Sequence, residues 1–379
     1  MRLDAQARRH LGAAGLAWFL FIAFCLTGWF VVVVPLRAEI LDNDLTLVYI
    51  GARIGVEHGW SHIYSLSLQH DLFSQLRPAA AFNNGERFVS PPPLAWLVLP
   101  ISVFGAAGAV YIWLGASVAA LVAAWRLAAA GPGSQRWLWL LGALAWYPVL
   151  YSISLAQPDL LLVLVVSGSW KLADVERPYL AGIVLGLVVL KPQLALALPP
   201  VLLAAGRWRI AVAWAACAAF LALASLATIG TDGLRDYQGL LSEAQQVTNN
   251  RYFTLAFLLG PGAASYLAQA AVVLVAMVGA YLNRGGGTGR IYALGLVATT
   301  LGATYWHLQD FSILVLAAWL FWRESPPAWQ RWCLLIVAAG GELAWPLRPL
   351  PILVGVGLWF AFLLAPSRTA TSRRVAGAT

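Results

Sequence analysis

Apolar residues run through this chain in long blocks, and the polar ones are pressed into the gaps between them. Positions 11–34 carry no charge at all. At 1.5 Å per residue that run crosses a hydrocarbon core about 30 Å thick. Further apolar blocks predict helices at 91–125, 137–153, 157–170, 179–190, 193–206, 210–229, 263–282, 291–305, 308–322, 332–345 and 351–365. Several hold only 12 to 15 residues, fewer than the roughly 20 of a straight crossing. Pro158, Pro192 and Pro200 stand at or near the ends of these short pieces. Irregular backbone at membrane depth is tolerated only inside protein or around a wet cavity. The pattern therefore predicts an all-α polytopic membrane protein of about twelve crossings (11–13), with broken helices around a cavity.

Composition closes off the other classes. Of 379 residues, 61% are hydrophobic and 11% charged, and mean hydropathy is +0.75. Soluble domains run near 25% charged, so a water-soluble enzyme is excluded. The net charge of +8 comes from Arg residues scattered between apolar blocks, which makes no basic face for nucleic acid. Cys25, Cys217 and Cys333 lie in or beside apolar runs, at separations that suit neither a zinc site nor a disulfide scaffold. They read as packing residues. Arg2, Arg8 and Arg9 precede the first apolar run as in a signal sequence, but Pro35-Leu36-Arg37 is no small-residue cleavage site. The run is expected to stay as the first membrane helix.

Charge orients the chain. Pro91 to Leu127 reads either as one broken traversal or as a hairpin split near Gly105. One traversal puts 16 of the 24 Lys and Arg on the inner side, whereas a hairpin leaves 7 there. The positive-inside rule selects one traversal, with Pro91–Val103 dipping in from the outer face and both termini cytoplasmic. On that topology 12 of the 16 acids lie outside or near the outer face. The whole chain, 1–379, is one membrane-embedded domain with two outer loops, 35–90 and 230–256. A loop of about 55 residues is too long to be a mere connector. Within it, Leu45–Val56 and Ser61–Leu76 read as amphipathic pieces, of the kind that lie in the interface plane. The run Arg284-Gly-Gly-Gly-Thr-Gly-Arg290 lacks the context of a P-loop and reads as a cytoplasmic linker.

The ionisable residues gather at the outer ends of the predicted spans. Asp42 and Asp44 follow the first one: either Asp42, Asn43 or Asp44 caps the next helix, or a carboxylate is held there as a general base or ligand. Lys191, one of two lysines, interrupts Val188-Val-Leu-Lys-Pro-Gln193. It either snorkels to the surface or supplies a fixed cation to an anion such as a lipid phosphate. His307 and Asp310 stand three apart; either they bond to each other and cap the next helix, or His307 contacts that same anion. Gln157-Pro158-Asp159 has the form of a helix start. His58 and His62 have helical metal-ligand spacing, but Gly59 lies between them and no third ligand stands out. No metal or other cofactor is expected. The 19 Trp read mostly as interface and core residues, although an aromatic patch beside the cavity could stack on a sugar ring.

In this order the residues resemble glycosyltransferase family 87, membrane enzymes of the C-type glycosyltransferase fold that use polyprenyl-phosphate sugars. An Asp leads the segment Asp44-Leu-Thr-Leu-Val-Tyr49-Ile-Gly51-Ala52, and Ile63-Tyr64 follows near the next turn. Ser90-Pro91-Pro92-Pro93-Leu94 opens the next span. A Gly-Gln-x-Asn-like element stands as Ala156-Gln157-Pro158-Asp159, departing from the family pattern at Ala156 and Asp159. Gly182 and Gly186 precede Lys191-Pro192, then come the basic stop Arg207-Trp208-Arg209 and His307. The resemblance spans roughly residues 10–325.

The resemblance implies inverting transfer of a sugar, typically mannose, from a polyprenyl-phosphate donor to a lipid-linked or glycan acceptor. Asp44 matches the family's base, with Asp42 as alternate. Lys191 and His307 are the candidates for the donor phosphate. Tyr49, His62, Tyr64, Gln157, Asp159, Gln193 and Asp310 are those for the rest of the substrates. The expected partners are the bilayer of the cell membrane, the donor and the acceptor, without nucleic acid and without a second subunit. Chemistry is expected on the extracytoplasmic face. Two other classes stay open at this point: a transporter or flippase, and a non-catalytic lipid-binding protein of the same fold.

Overall fold

The computed structural model describes residues 5–83 and 85–365, and among them every regular element is helical. Arg2, Asp4, Arg368, Arg373 and Arg374, on which part of the orientation argument rests, lie outside the described residues.

The first helix, α1 (Ala5–Gly28), runs on through a π turn to Ala38. Its 28-residue apolar stretch buries nothing, and Trp18, Phe19 and Phe30 face outward. It touches the bundle mainly through one later helix at 133–145. A side-chain surface so apolar and so uncovered fits only lipid.

The long loop that follows folds into α2 (Asp44–Glu57), a turn at Trp60–His62, and α3 (Leu66–Leu76). Then come α4 (Pro92–Ser102) and α5 (Gly105–Ala128), separated by Gly105 in a left-handed conformation. The long helix α5 is enough for one traversal, while α4 is short and packs on α2. The next apolar block, read as one span at 137–153, is two helices, α6 (Gly133–Ala145) and α7 (Tyr147–Ser154), bent by 57°. The break falls at extended Trp146, just before Pro148. Glu342 Oε1 accepts from the freed Tyr147 amide at 2.8 Å.

α8 (Asp159–Asp174), α9 (Pro178–Gly186) and α10 (Leu198–Ala204) continue the bundle. Between α9 and α10 the chain passes Lys191 in two short 3-10 turns. Helix α11 (Trp208–Gln246) kinks at Gly230, whose φ of 64° and ψ of −167° suit glycine alone. α12 (Ala263–Leu282), α13 (Thr288–Gly302), α14 (Leu314–Arg323), α15 (Trp332–Glu342) and α16 (Leu350–Leu364) complete it. Among the described residues four helices are long and apolar enough to cross a membrane alone, or five with the bent pair. The remaining apolar blocks are shorter pieces.

Two separate cores result. The larger fills the bundle around Trp306, Trp319, Trp359 and Tyr292. The smaller joins the first long loop to α4, the start of α5 and the end of α11. Beyond Gly230, α11 lays its last turns across the first loop. A Cβ on Gly233 would lie 2.8 Å from Ser61 O, and Tyr237 stacks on Tyr64 at 4.6 Å. Tyr64 lies nearly parallel to Phe88 at 5.6 Å, and Phe88 covers Gly51 so closely that no Cβ would fit. Gln69 fixes that segment, accepting from Phe88 N at 2.8 Å and donating to Ile63 O at 3.0 Å.

This corrects one expectation. Leu45–Val56 does not lie in an interface with one face open; from Leu45 to Ala52 it is buried all round. The cover comes from α4, α3, α5 and Phe88, which the sequence pattern of Leu45–Val56 cannot show.

Candidate functional site

Asp44 begins α2 but does not cap it. Asn43 is the cap, its Oδ1 accepting from Thr46 N at 3.2 Å, so the Asp44 carboxyl is left for other partners. Its own amide donates to Leu155 O at 3.0 Å, which ties the first loop to the corner between α7 and α8. At that corner Ala156 holds a φ of 49°, the region in which glycine is at ease. The turn places Gln157 against Asp44, Nε2 donating to Oδ2.

From Gln157 the network runs inward. Lys191 Nζ donates to Gln157 Oε1 at 2.9 Å, to Asp159 Oδ1 at 2.6 Å and to Asp310 Oδ1 at 2.5 Å. An ammonium has three N–H groups, and all three are used. Ser152 Oγ donates to Asp159 Oδ2 at 3.2 Å, and His307 N to Asp310 Oδ2 at 2.9 Å. Asp159 and Asp310 are fully buried, so Lys191 is what lets two carboxylates persist there. His307 is engaged on both ring nitrogens, with Asn250 Oδ1 at 3.0 Å from Nε2 and Gln309 Nε2 at 3.4 Å from Nδ1.

Five loops and helix ends thus converge on one polar pocket in an apolar protein. Asp44, Gln157, Asp159, Lys191, His307 and Asp310 come together although the first and last stand 266 positions apart. Asp44 stays partly accessible although protein atoms surround it. Burial pushes its carboxyl up to about 6, against the opposing pull of Lys191 and the Gln157 hydrogen bond. A carboxylate with that value accepts a proton more readily than an ordinary one.

Other residues singled out in the sequence lie elsewhere. Asp42 pairs with Arg77 Nη2 at 2.8 Å. Tyr64 donates to Ser90 O at 2.8 Å within the outer core, and Tyr49 is buried there too. His62 is exposed, and Gln193 is half-buried just beyond Pro192. Neither Lys191 nor His307 offers an unspent donor in this arrangement, which differs from the free cations expected for a phosphate. Among the described residues no group of three His, Cys, Asp or Glu is arranged to hold a metal ion.

Several partners escaped sequence reasoning. Ser152 is a small polar residue in an apolar run, and Asn250 comes from the second outer loop; neither carries a signal alone. Tyr151 and Tyr305 lie within electrostatic reach of Asp44. Tyr151 belongs to an aromatic group with Tyr147 at 5.6 Å and Trp345 at 6.2 Å.

The sequence model of glycosyltransferase family 87 matches residues 88–379. The chain belongs to that family. No curated protein and no solved structure matches it. As a family 87 member it is a membrane glycosyltransferase. The matched stretch contains Gln157, Asp159, Lys191, His307 and Asp310, whereas Asp44 stands before it and joins through Gln157.

Proposed function

We propose that this family 87 chain transfers a sugar, mannose in the first instance, from a polyprenyl-phosphate donor to a lipid-linked or glycan acceptor. The reaction takes place on the extracytoplasmic face and inverts the anomeric centre. Asp44 is the base. It takes the proton of an acceptor hydroxyl as that oxygen bonds to the anomeric carbon. The bond from that carbon to the phosphate oxygen breaks on the opposite side, and its electron pair leaves with the polyprenyl phosphate. The observation that carries this reading is the Asp44 carboxyl, partly accessible, raised to about 6 and held by Gln157 above the Lys191 pair.

The surroundings support it. A cavity of about 750 Å³ between the first helix and the outer layer is walled by Val32, Val33, Leu36, Ile40 and Leu41, with Arg37 among them. Such a mostly apolar wall, with Arg37 and Glu39 as its charged members, suits a prenyl chain with its phosphate end at Arg37. Lys191 reaches that phosphate by exchanging one of its carboxylates for a phosphate oxygen, and His307 stands beside the exchange. Tyr147, Tyr151 and Trp345 offer ring faces to a sugar. In this reading the chain has the C-type fold with about twelve crossings, both termini cytoplasmic, in the cell membrane.

The test is transfer of labelled mannose from polyprenyl-phosphate mannose by membranes containing the protein, beside Asp44→Asn at equal expression. Wild-type transfer with a loss of about 10²–10⁴ in the variant is the expected outcome. Equal transfer by both would remove Asp44 from the mechanism. An inactive wild type with every polyprenyl-phosphate sugar offered would favour the non-catalytic reading.

A further inference from the structure

The end of the bundle remote from Asp44 carries a second polar site, whose charged residues are all cations. Helix α8 starts at Asp159 and ends at Asp174; its 16 residues span about 24 Å, most of a hydrocarbon thickness. Helix α14 likewise leaves the Asp310 turn and ends at Arg323. At these far ends a cavity of about 700 Å³ is lined by Arg126, Arg136, Lys171, Arg323 and Arg331, with Trp322. No acid lines it.

Each cation has a reason for its position, and those reasons leave donors over. Arg136 donates to Arg126 O, Arg331 Nε to Pro326 O at 2.9 Å, and Arg323 Nη1 to Ala129 O at 3.4 Å. Three guanidinium planes are fixed on indoles: Arg136 over Trp125 at 5.5 Å, Arg323 over Trp170 at 5.1 Å, and Arg331 over Trp322 at 4.5 Å. A guanidinium has five N–H groups, so one carbonyl apiece leaves most of them. Two carboxylates stand near. Lys171 pairs with exposed Asp174 at 3.1 Å, and Glu324 shares its charge with Arg290 and Arg323.

Topology and helix dipoles alone would account for cations at this end. They would not gather five around one cavity, where like charges repel, nor stack three of them in place. We propose that the cavity binds the phosphodiester headgroup of an anionic phospholipid. Exposed Trp137 and Trp332, next to Arg136 and Arg331, favour a lipid over a free anion, because indoles mark headgroup level. Basic pockets between membrane helices are suited to such headgroups. The site does not depend on the reaction proposed above; only its assignment to the inner leaflet rests on that orientation.

The full-length protein in a neutral detergent tests this through its tryptophan fluorescence. Short-chain phosphatidylglycerol is expected to give a saturable change, and short-chain phosphatidylcholine none. Inorganic phosphate is expected to act only far more weakly. Arg136→Gln with Arg331→Gln should weaken the phosphatidylglycerol response roughly thirtyfold, about fivefold per cation. Where that pair fails to fold, the exposed Lys171→Gln reads the same site at about fivefold. Arg209→Gln with Arg284→Gln, exposed cations outside the cavity, should leave the response unchanged. An equal response to phosphatidylcholine or phosphate, or an equal loss in the outside pair, would overturn the proposal.

Discussion

Lys191 and Arg77 each hold a fan of carboxylates, and the two clusters differ in what surrounds them. Arg77, itself buried, reaches Glu39 at 2.5 Å, Asp42 at 2.8 Å and Glu86 at 3.6 Å. Those acids look outward, with Glu39 47% and Asp42 63% exposed, so water screens them. The result ties the start of the first outer loop to its end. Around Lys191 the acids Asp159 and Asp310 are both fully buried, and Asp44 adds a third carboxyl through Gln157. One cation among three acids in a water-poor site leaves negative charge uncompensated. A fold seeking stability alone would replace such a group with apolar residues. The Arg77 cluster reads as a clasp, the Lys191 cluster as a site.

Breaking the inner cluster gives the largest effect on stability. Lys191→Met leaves two buried carboxylates without a cation and should cost about 3–5 kcal/mol, read from unfolding of the detergent-solubilised protein. Adding Asp159→Asn and Asp310→Asn should recover most of that loss. If Lys191→Met alone unfolds like the wild type, the acids are protonated in place and the contrast with Arg77 collapses.

Acidity separates the clusters next. Asp44 works as a base only when ionised, so transfer should fall about tenfold per unit as pH drops below about 6. Its effect on stability has the opposite sense. A folded pKa above the ordinary carboxylate value favours the fold at low pH, and that contribution disappears as pH rises through about 6. Asp44→Asn should therefore unfold no earlier than the wild type at neutral pH. At Glu39 the Arg77 hydrogen bond holds the carboxyl below its ordinary value. Its contribution is present above that ordinary value and lost as pH falls through the lowered one. Stability measured against pH in both variants checks the two signs.

The smallest effect belongs to the clasp. Glu39→Gln should cost no more than about 1 kcal/mol, shrinking further in high salt. A loss as large as that of Lys191→Met would erase the distinction between the clusters.

Much of the inner site was legible because polar residues are conspicuous in an apolar chain. Asp44, Gln157, Asp159, Lys191, His307 and Asp310 each interrupt or end an apolar block, and the order of motifs pointed to the family that residues 88–379 match. What no one-dimensional reading supplies is how they share partners. Lys191 looked like a spare cation because Asp159 and Asp310 lie 32 and 119 residues away. Arg77 went unnoticed for the same reason. The all-helical class followed from periodicity, but the break at Trp146 and the burial of α2 come from tertiary contacts. The kinked end of α11 that packs on the Trp60–His62 turn looked like a second loop, since its polar residues interrupt the hydropathy pattern at Gly230.

Ala156 has a consequence for populations. A free alanine pays about 1–2 kcal/mol to enter the left-handed region, so an unconstrained peptide would visit this geometry roughly five to thirty times less often. The corner keeps it because Gln157 N is held by Ser152 O and Ala156 N by Ile153 O. Whatever releases that corner also releases stored conformational energy, and Gln157 moves with it. The separation of Asp44 and Lys191, both bonded to Gln157, therefore depends on the backbone of the residue before it.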